Sequence, residues 1–240
     1  ITLIDDSFRS IVKAVMWGRS LYKNIQRFLF FQLVVNVVAL LLVLGGSVIG
    51  TELPLTVTQI LWINLIMDTF AAMALASLPP THDVMLEKPR RQTDFIITRP
   101  IAKGILAVGL LLFLPMMVFL FYCERGAMLG ASGSMADAGM DVHEMTLFFT
   151  TFVMLQWWNL FNAKALSSGH SAFHHLFANR TLLLVLAMVL VGQWIIVTFG
   201  GQMFRTVPLS AKEWGLIMLV TSPVLWVGEI VRLFKGKKNK

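Results

Sequence analysis

Six stretches of about twenty mostly apolar residues constrain this chain more than any other feature. A helix needs about 20 such residues to cross the hydrocarbon of a bilayer. The stretches run over residues 28–49, 55–77, 101–122, 145–163, 181–199 and 213–233. A soluble domain carries roughly 25% charged residues, whereas here 14% are charged and 57% are hydrophobic. The fold class that follows is an all-α membrane protein of six transmembrane helices with an N-terminal cytoplasmic helical stalk. Pro115 and Pro223 fall inside the third and sixth stretches and are expected to kink them, which membrane helices tolerate. No sequence repeat relates the six.

The formal charge of +7 is a topology signal. Lysine and arginine collect on the cytoplasmic side of a membrane protein. Five of them precede the first stretch, five lie between the second and third, two between the fourth and fifth, and five close the chain. The opposite side holds only Arg125, Arg205 and Lys212. Both termini are therefore expected in the cytoplasm, and a nucleic-acid partner is not. With Cys123 as the single cysteine, an internal disulfide and a cysteine-based metal cluster are excluded. The chain begins at Ile1, and no basic segment or cleavage site precedes the first apolar run, so it reads as part of something longer.

The first helix is expected to begin well before the membrane. Behind a helix-starting Asp6–Ser7, residues 8–27 mix apolar and basic positions without proline. One helix from 8 to 48 would be about 60 Å long, about twice the hydrocarbon thickness. The surplus reads either as a mechanical link to a cytoplasmic domain or as a solvated amphipathic surface helix.

Polar groups inside the apolar stretches carry the functional signal. Asp68 is the one ionisable residue near the middle of any of them. An intramembrane carboxylate marks an ion or proton pathway by default. Asn64 and Asp68 are four apart, which on an α-helix puts them on one face. Hard cations take oxygen ligands, 6–8 of them in the case of Ca²⁺. Asp68 would supply charge, and Asn36, Asn64 and Gln156 neutral oxygens. One carboxylate is too little for a divalent ion in low dielectric, so a second is expected from outside this chain. Asn159 and Asn162 read as interhelical hydrogen-bond partners instead.

Other features have plainer readings. His170, His174 and His175 lack the flanking cysteine or carboxylate of a metal site. QWW at 156–158 reads as packing or an interfacial belt, KGKKNK at 235–240 as an anchor to anionic lipid, and residues 126–140 as an external connection. Walker-type phosphate loops, GxSxG elbows and HExxH zinc motifs do not occur.

DDSFRSIVKAVMWGRSLYKNIQRFLFFQLVVNVVALLL (5–42), LPLTVTQILWINLIMDTFAAMALASLPPT (53–81) and KPRR (88–91) closely resemble the C-terminal membrane half of P-type calcium pumps, the plasma-membrane branch above all. FFTTFVMLQWWNLFNAKAL (148–166) extends the resemblance into the fourth stretch. It implies that the six spans match helices five to ten of a ten-helix pump. It also implies that Asn36, Asn64, Asp68 and Gln156 are the metal-ligand positions. Three departures separate this chain from the two-ion sarcoplasmic-reticulum type: Ala39 stands where that type has glutamate, Met67 where it has threonine, and Gln156 where it has glutamate. One ion per cycle is the corresponding expectation.

The resemblance further implies a division into an end of the phosphorylation domain and a stalk (1–27), a cation-site helix pair (28–77), a cytoplasmic loop (78–100) and a four-helix membrane support domain (101–240). Ca²⁺ would be the transported ion. ATP and Mg²⁺ would bind only in other parts of the pump: the DKTG and TGES motifs and the nucleotide domain do not occur here, so no catalytic or cofactor-binding residue is assigned. The expected partners are the actuator, nucleotide-binding and phosphorylation domains, the first four membrane helices and the lipid bilayer, in a plasma membrane. The alternatives are a Mn²⁺/Ca²⁺ pump of the secretory-pathway-like branch, a stand-alone six-helix channel or transporter, and a non-catalytic membrane fragment.

Overall fold

A computed structural model describes residues 7–50, 55–80, 82–86, 88, 94–130, 140–166, 171–174, 176 and 179–238, without the side chains of 125–130 and 235–238. Six helices occupy the six apolar stretches. Helix α1 is Phe8–Ile49, a single rod of 42 residues. Ser7 stands at its N-cap position in an extended conformation but makes no side-chain capping bond. Gly50 ends it with φ 84°, a left-handed conformation that glycine adopts without penalty.

Helix α2 spans Val57–Ala76. Thr56 starts it through a reciprocal capping box with Gln59. Its middle, Trp62–Met67, is a π-helical turn, and α-helix resumes over Asp68–Ala76. Helix α3 runs over Arg99–Gly130 and passes unbroken through Pro115. It therefore reaches into the segment expected to be an external connection; residues 131–139 lie outside the described residues. Helix α4 is Val142–Lys164, started by a capping box between Asp141 and Glu144. Helix α5 is Arg180–Phe199, capped by Asn179, and a single turn, Gly201–Phe204, follows it.

Helix α6 comes in two halves, Ala211–Thr221 and Pro223–Lys238. Pro223 has no N–H to offer the carbonyl of Leu219. Ser222 Oγ donates to that carbonyl instead, at 2.8 Å. Two side chains of α4 brace the break: Trp158 Nε1 donates to Thr221 Oγ1 at 3.1 Å, and Asn162 Nδ2 to the Val224 carbonyl at 3.0 Å. Gly228 makes room for this amide, since a Cβ there would fall 2.0 Å from Asn162 Oδ1. The two prolines thus have different outcomes, and the neighbouring helix accounts for the second.

Helices α1, α2, α3, α5 and α6 are each long and apolar enough to cross a membrane. The more polar α4 packs against α1, α3, α5 and both halves of α6. Phe148, Phe149, Phe152 and Met154 of α4 are fully buried, as are the polar Thr146, Thr150, Gln156 and Asn159. A helix shielded by protein need not be apolar all round. QWW is packing, as expected: Trp157 Nε1 donates to the Leu186 carbonyl at 3.1 Å, and its ring meets those of Trp158 and Phe161 edge-on.

The stalk half of α1 is attached to its neighbours. Buried Asn24 donates to the carbonyls of Ala76 and Leu78 at 3.3 and 3.0 Å, where α2 ends. Arg19 donates to the Val84 carbonyl at 3.0 Å. Backbone acceptors left over at a helix C-terminus are thereby satisfied.

Candidate cation site

The site residues follow from how α2 is built. In a π turn the backbone bonds reach one residue further than in an α-helix, and such turns occur mostly as single-turn bulges, often at functional sites. The wider turn shifts the angular register of everything beyond it. Asn64 lies inside the turn, and Asp68 is the first residue of the α-helix that follows. Asn64 is exposed, whereas Asp68 is 3% exposed, so this chain covers the second and not the first. The hydroxyl of Thr69 donates to the carbonyl of Leu65 within the turn.

Both carboxylate oxygens of Asp68 are enclosed and have no hydrogen-bond partner among the described residues. A buried carboxylate with nothing to accept from is costly, so its surroundings are complete only when a donor or a cation joins it. Asp68–Ala76 packs on α1 and α5. A small cavity lies beside this segment, lined by Phe31 of α1, Met67 and Ala71 of α2, Gln156, Trp157 and Leu160 of α4 and Val189 of α5. At about 10 Å³ it is near the lower limit for a single water.

Gln156 is therefore placed where α1, α2, α4 and α5 meet, across a cavity that Met67 and Ala71 line from α2. It is fully buried; its Oε1 accepts from Asn159 Nδ2 at 3.4 Å, and its Nε2 has no partner among the described residues. Asn159 departs from its expected role, because this bond stays within α4 and its Oδ1 is buried without a partner among the described residues. Asn162 fulfils the same expectation through Val224. Asn36 is exposed on α1, on the side that also carries exposed Leu40 and Leu44. The structure thus encloses Asp68 and Gln156 and leaves Asn36 and Asn64 on the surface of this chain.

Among the described residues no three His, Cys, Asp or Glu side chains come together as a metal cluster. His170 and His175 lie outside those residues, and the carbonyl of His174 accepts from Lys164 Nζ at 2.8 Å. Two polar residues with structural consequences escaped the sequence reading. Lys164, counted only as a loop charge, is 9% exposed and also donates to the Ala172 carbonyl at 3.0 Å. Gln193, fully buried in α5, accepts from Trp62 Nε1 at 3.0 Å. An isolated amide in an otherwise apolar run was a visible signal for the second.

Comparison with known proteins adds an independent line. A family model described as "Cation transporting ATPase, C-terminus" matches residues 52–234. The plasma membrane calcium-transporting ATPase mca-1 of Caenorhabditis elegans is 38% identical over 240 residues, 99% of this chain and 19% of that protein. Plasma membrane calcium-transporting ATPase 3 of Homo sapiens is 37% identical over 231 residues, covering 96% and 19%. Plasma membrane calcium-transporting ATPase 1 of Mus musculus is 38% identical over 241 residues, covering 100% and 20%. The chain spans about a fifth of the length of these relatives.

Proposed function

The chain belongs to the C-terminal family of cation-transporting ATPases, and on that premise we propose that it is the transport half of an ATP-driven pump that exports Ca²⁺ from the cytosol, one ion per cycle. The observation that carries this reading is the enclosed Asp68 carboxylate, neither oxygen of which is hydrogen-bonded among the described residues. Asp68 supplies the charge, and Asn64, Asn36 and Gln156 supply neutral oxygens. A single central carboxylate suits one divalent ion, provided the rest of the pump adds a second.

The exposed amides support the same reading. Asn36 lies on a face with Leu40 and Leu44, and Asn64 beside exposed Leu65 and Ile66. An amide facing hydrocarbon leaves its polar groups unsatisfied. Helices from the remaining four-fifths of the protein cover this face and complete the site. ATP and Mg²⁺ act in those other parts, and no residue of this chain handles them. The division into stalk (1–27), site pair (28–77), loop (78–100) and support helices (101–240) follows, with both termini on the cytoplasmic side of a plasma membrane.

Movement reaches the site through α1. Asn24 grips the end of α2 through the Ala76 and Leu78 carbonyls, so a displacement of the stalk also pulls on the helix that carries Asp68. Shifting α2 against its neighbours changes the ligand distances and so the affinity. Asp68→Asn in the full-length protein tests this. Ca²⁺-dependent phosphorylation from ATP should be abolished, and a phosphoenzyme activated by Ca²⁺ at normal affinity would sink the assignment. Titrating Mn²⁺ against Ca²⁺ in the parent protein decides between the two ions.

A further inference from the structure

The outer half of α2 is tied to α5 and the turn after it by three side-chain bonds in succession. Thr58 Oγ1 donates to the Met203 carbonyl at 2.9 Å, Gln59 Nε2 to the Phe204 carbonyl at 2.8 Å, and Trp62 Nε1 to Gln193 Oε1 at 3.0 Å. Trp62 is the first residue of the π turn. Among the described residues no side chain ties Asn64, Leu65 or Ile66 to another helix in this way, and all three are exposed. Trp62 is thus the last tether before the candidate ligands.

The contact is closely fitted on the α5 side. A Cβ at Gly192 would lie 2.6 Å from Trp62 Cη2 and 3.1 Å from Cζ2, so only glycine lets the indole settle against α5. The neighbouring Gln193 then meets the indole N–H. Trp62 is 8% exposed and Gln193 fully buried, so either group deprived of the other has no water to turn to. A π turn is rare and occurs mostly as a single-turn bulge inside an α-helix, so what packs against it helps to fix where it forms.

We propose that Gln193, with Gly192, is a positioning residue for cation binding: the pair holds Trp62 and so sets the register of the π turn that places Asn64 and Asp68. This rests on the reading of those two residues as cation ligands. Gln193 itself touches no cation. It acts through a helix 131 positions away in sequence.

The test uses the full-length protein in membranes, with two readouts. Phosphorylation from ATP against free Ca²⁺ reports the affinity of the cation site. Phosphorylation from inorganic phosphate without Ca²⁺ reports that the protein is folded and its phosphorylation machinery intact. Gln193→Leu should raise the half-maximal Ca²⁺ about tenfold, as expected when a buried donor is orphaned, and leave both maximal phosphorylation levels unchanged. Trp62→Phe should do the same from the other side. The double variant Trp62→Phe/Gln193→Leu should recover most of the affinity, because removing both partners leaves nothing unpaired. Gly192→Ala, which displaces the ring without touching the bond partners, should shift affinity in the same direction.

The proposal is overturned if Gln193→Leu and Trp62→Phe each stay within about twofold of the parent, or if the double variant shows the product of the two single effects. If Gln193→Leu fails to phosphorylate from inorganic phosphate, Trp62→Phe and Gly192→Ala decide by the same criterion. Asp68→Asn measured alongside separates the two layers. Normal Ca²⁺ activation in Asp68→Asn removes the ligand reading itself, whereas an inactive Asp68→Asn with unshifted Gln193 variants removes only the positioning role.

Discussion

Glu229 and Asp68 are both carboxylates within the helix bundle, and they meet opposite surroundings. Glu229 accepts from the backbone N–H of Ala172 at 2.6 Å, from Arg232 at 2.9 Å and from Ser171 Oγ at 3.2 Å. Arg232 in turn donates to Asn162 Oδ1 at 3.1 Å. Asp68 is more deeply buried and accepts nothing from the described residues. The same functional group is a structural tie at Glu229, whereas at Asp68 it has no hydrogen-bond partner among the described residues, the difference on which the proposed ligand role rests. Burial by itself does not distinguish the two; satisfaction does.

The contrast can be broken most directly by paired substitutions. Asp68→Asn should eliminate Ca²⁺-activated phosphorylation while leaving the thermal midpoint of the purified protein equal or higher, since a neutral amide is cheaper to enclose than a carboxylate. A lower midpoint would mean that Asp68 is held by contacts of the kind that hold Glu229. Gln156→Ala sharpens the site further. Losing one neutral ligand should weaken half-maximal Ca²⁺ activation about tenfold, roughly the worth of one such interaction. Unchanged activation would move Gln156 to the side of the packing amides.

Glu229→Gln is the opposite experiment. It strips charge assistance from three bonds and leaves Arg232 without its counter-ion, so stability should fall by about 2 kcal/mol. Ca²⁺ affinity should stay at the parent value, and a shift would show that this end of the bundle communicates with the site. Asn162→Ala is the mildest of the set. The bond to Val224 is worth about 1 kcal/mol in a membrane bundle, read as a small drop in thermal midpoint with transport unaffected.

Much of the fold was legible because lipid imposes a simple rule on composition. Six apolar stretches became six helices, and the proline-free run through residues 8–49 became one rod. The limits of that rule show at α4, whose Thr146, Thr150, Gln156 and Asn159 are buried in the bundle, and at the two prolines. Ser222 beside Pro223 is the one local hint of which proline breaks its helix. The break depends on Ser222, Trp158 and Asn162 satisfying what Pro223 leaves open. For the site, the type and position of Asp68 were visible from chemistry alone. Its difference in exposure from Asn64 was not, because that depends on which neighbouring helices cover each residue.

Composition and order along the chain thus decided that this is an all-helical membrane protein, where its helices run, and that one carboxylate lies near the middle of an apolar stretch. These are properties of single segments in contact with hydrocarbon, and each segment carries them alone. Which polar groups end up paired depended on the assembled bundle. Trp62 with Gln193 and Asn24 with the end of α2 are relations between helices distant in sequence, and Asp68 is left without a partner among the described residues. Hydrogen bonding is directional and short in range, so only the packed arrangement chooses among the partners that the sequence makes available.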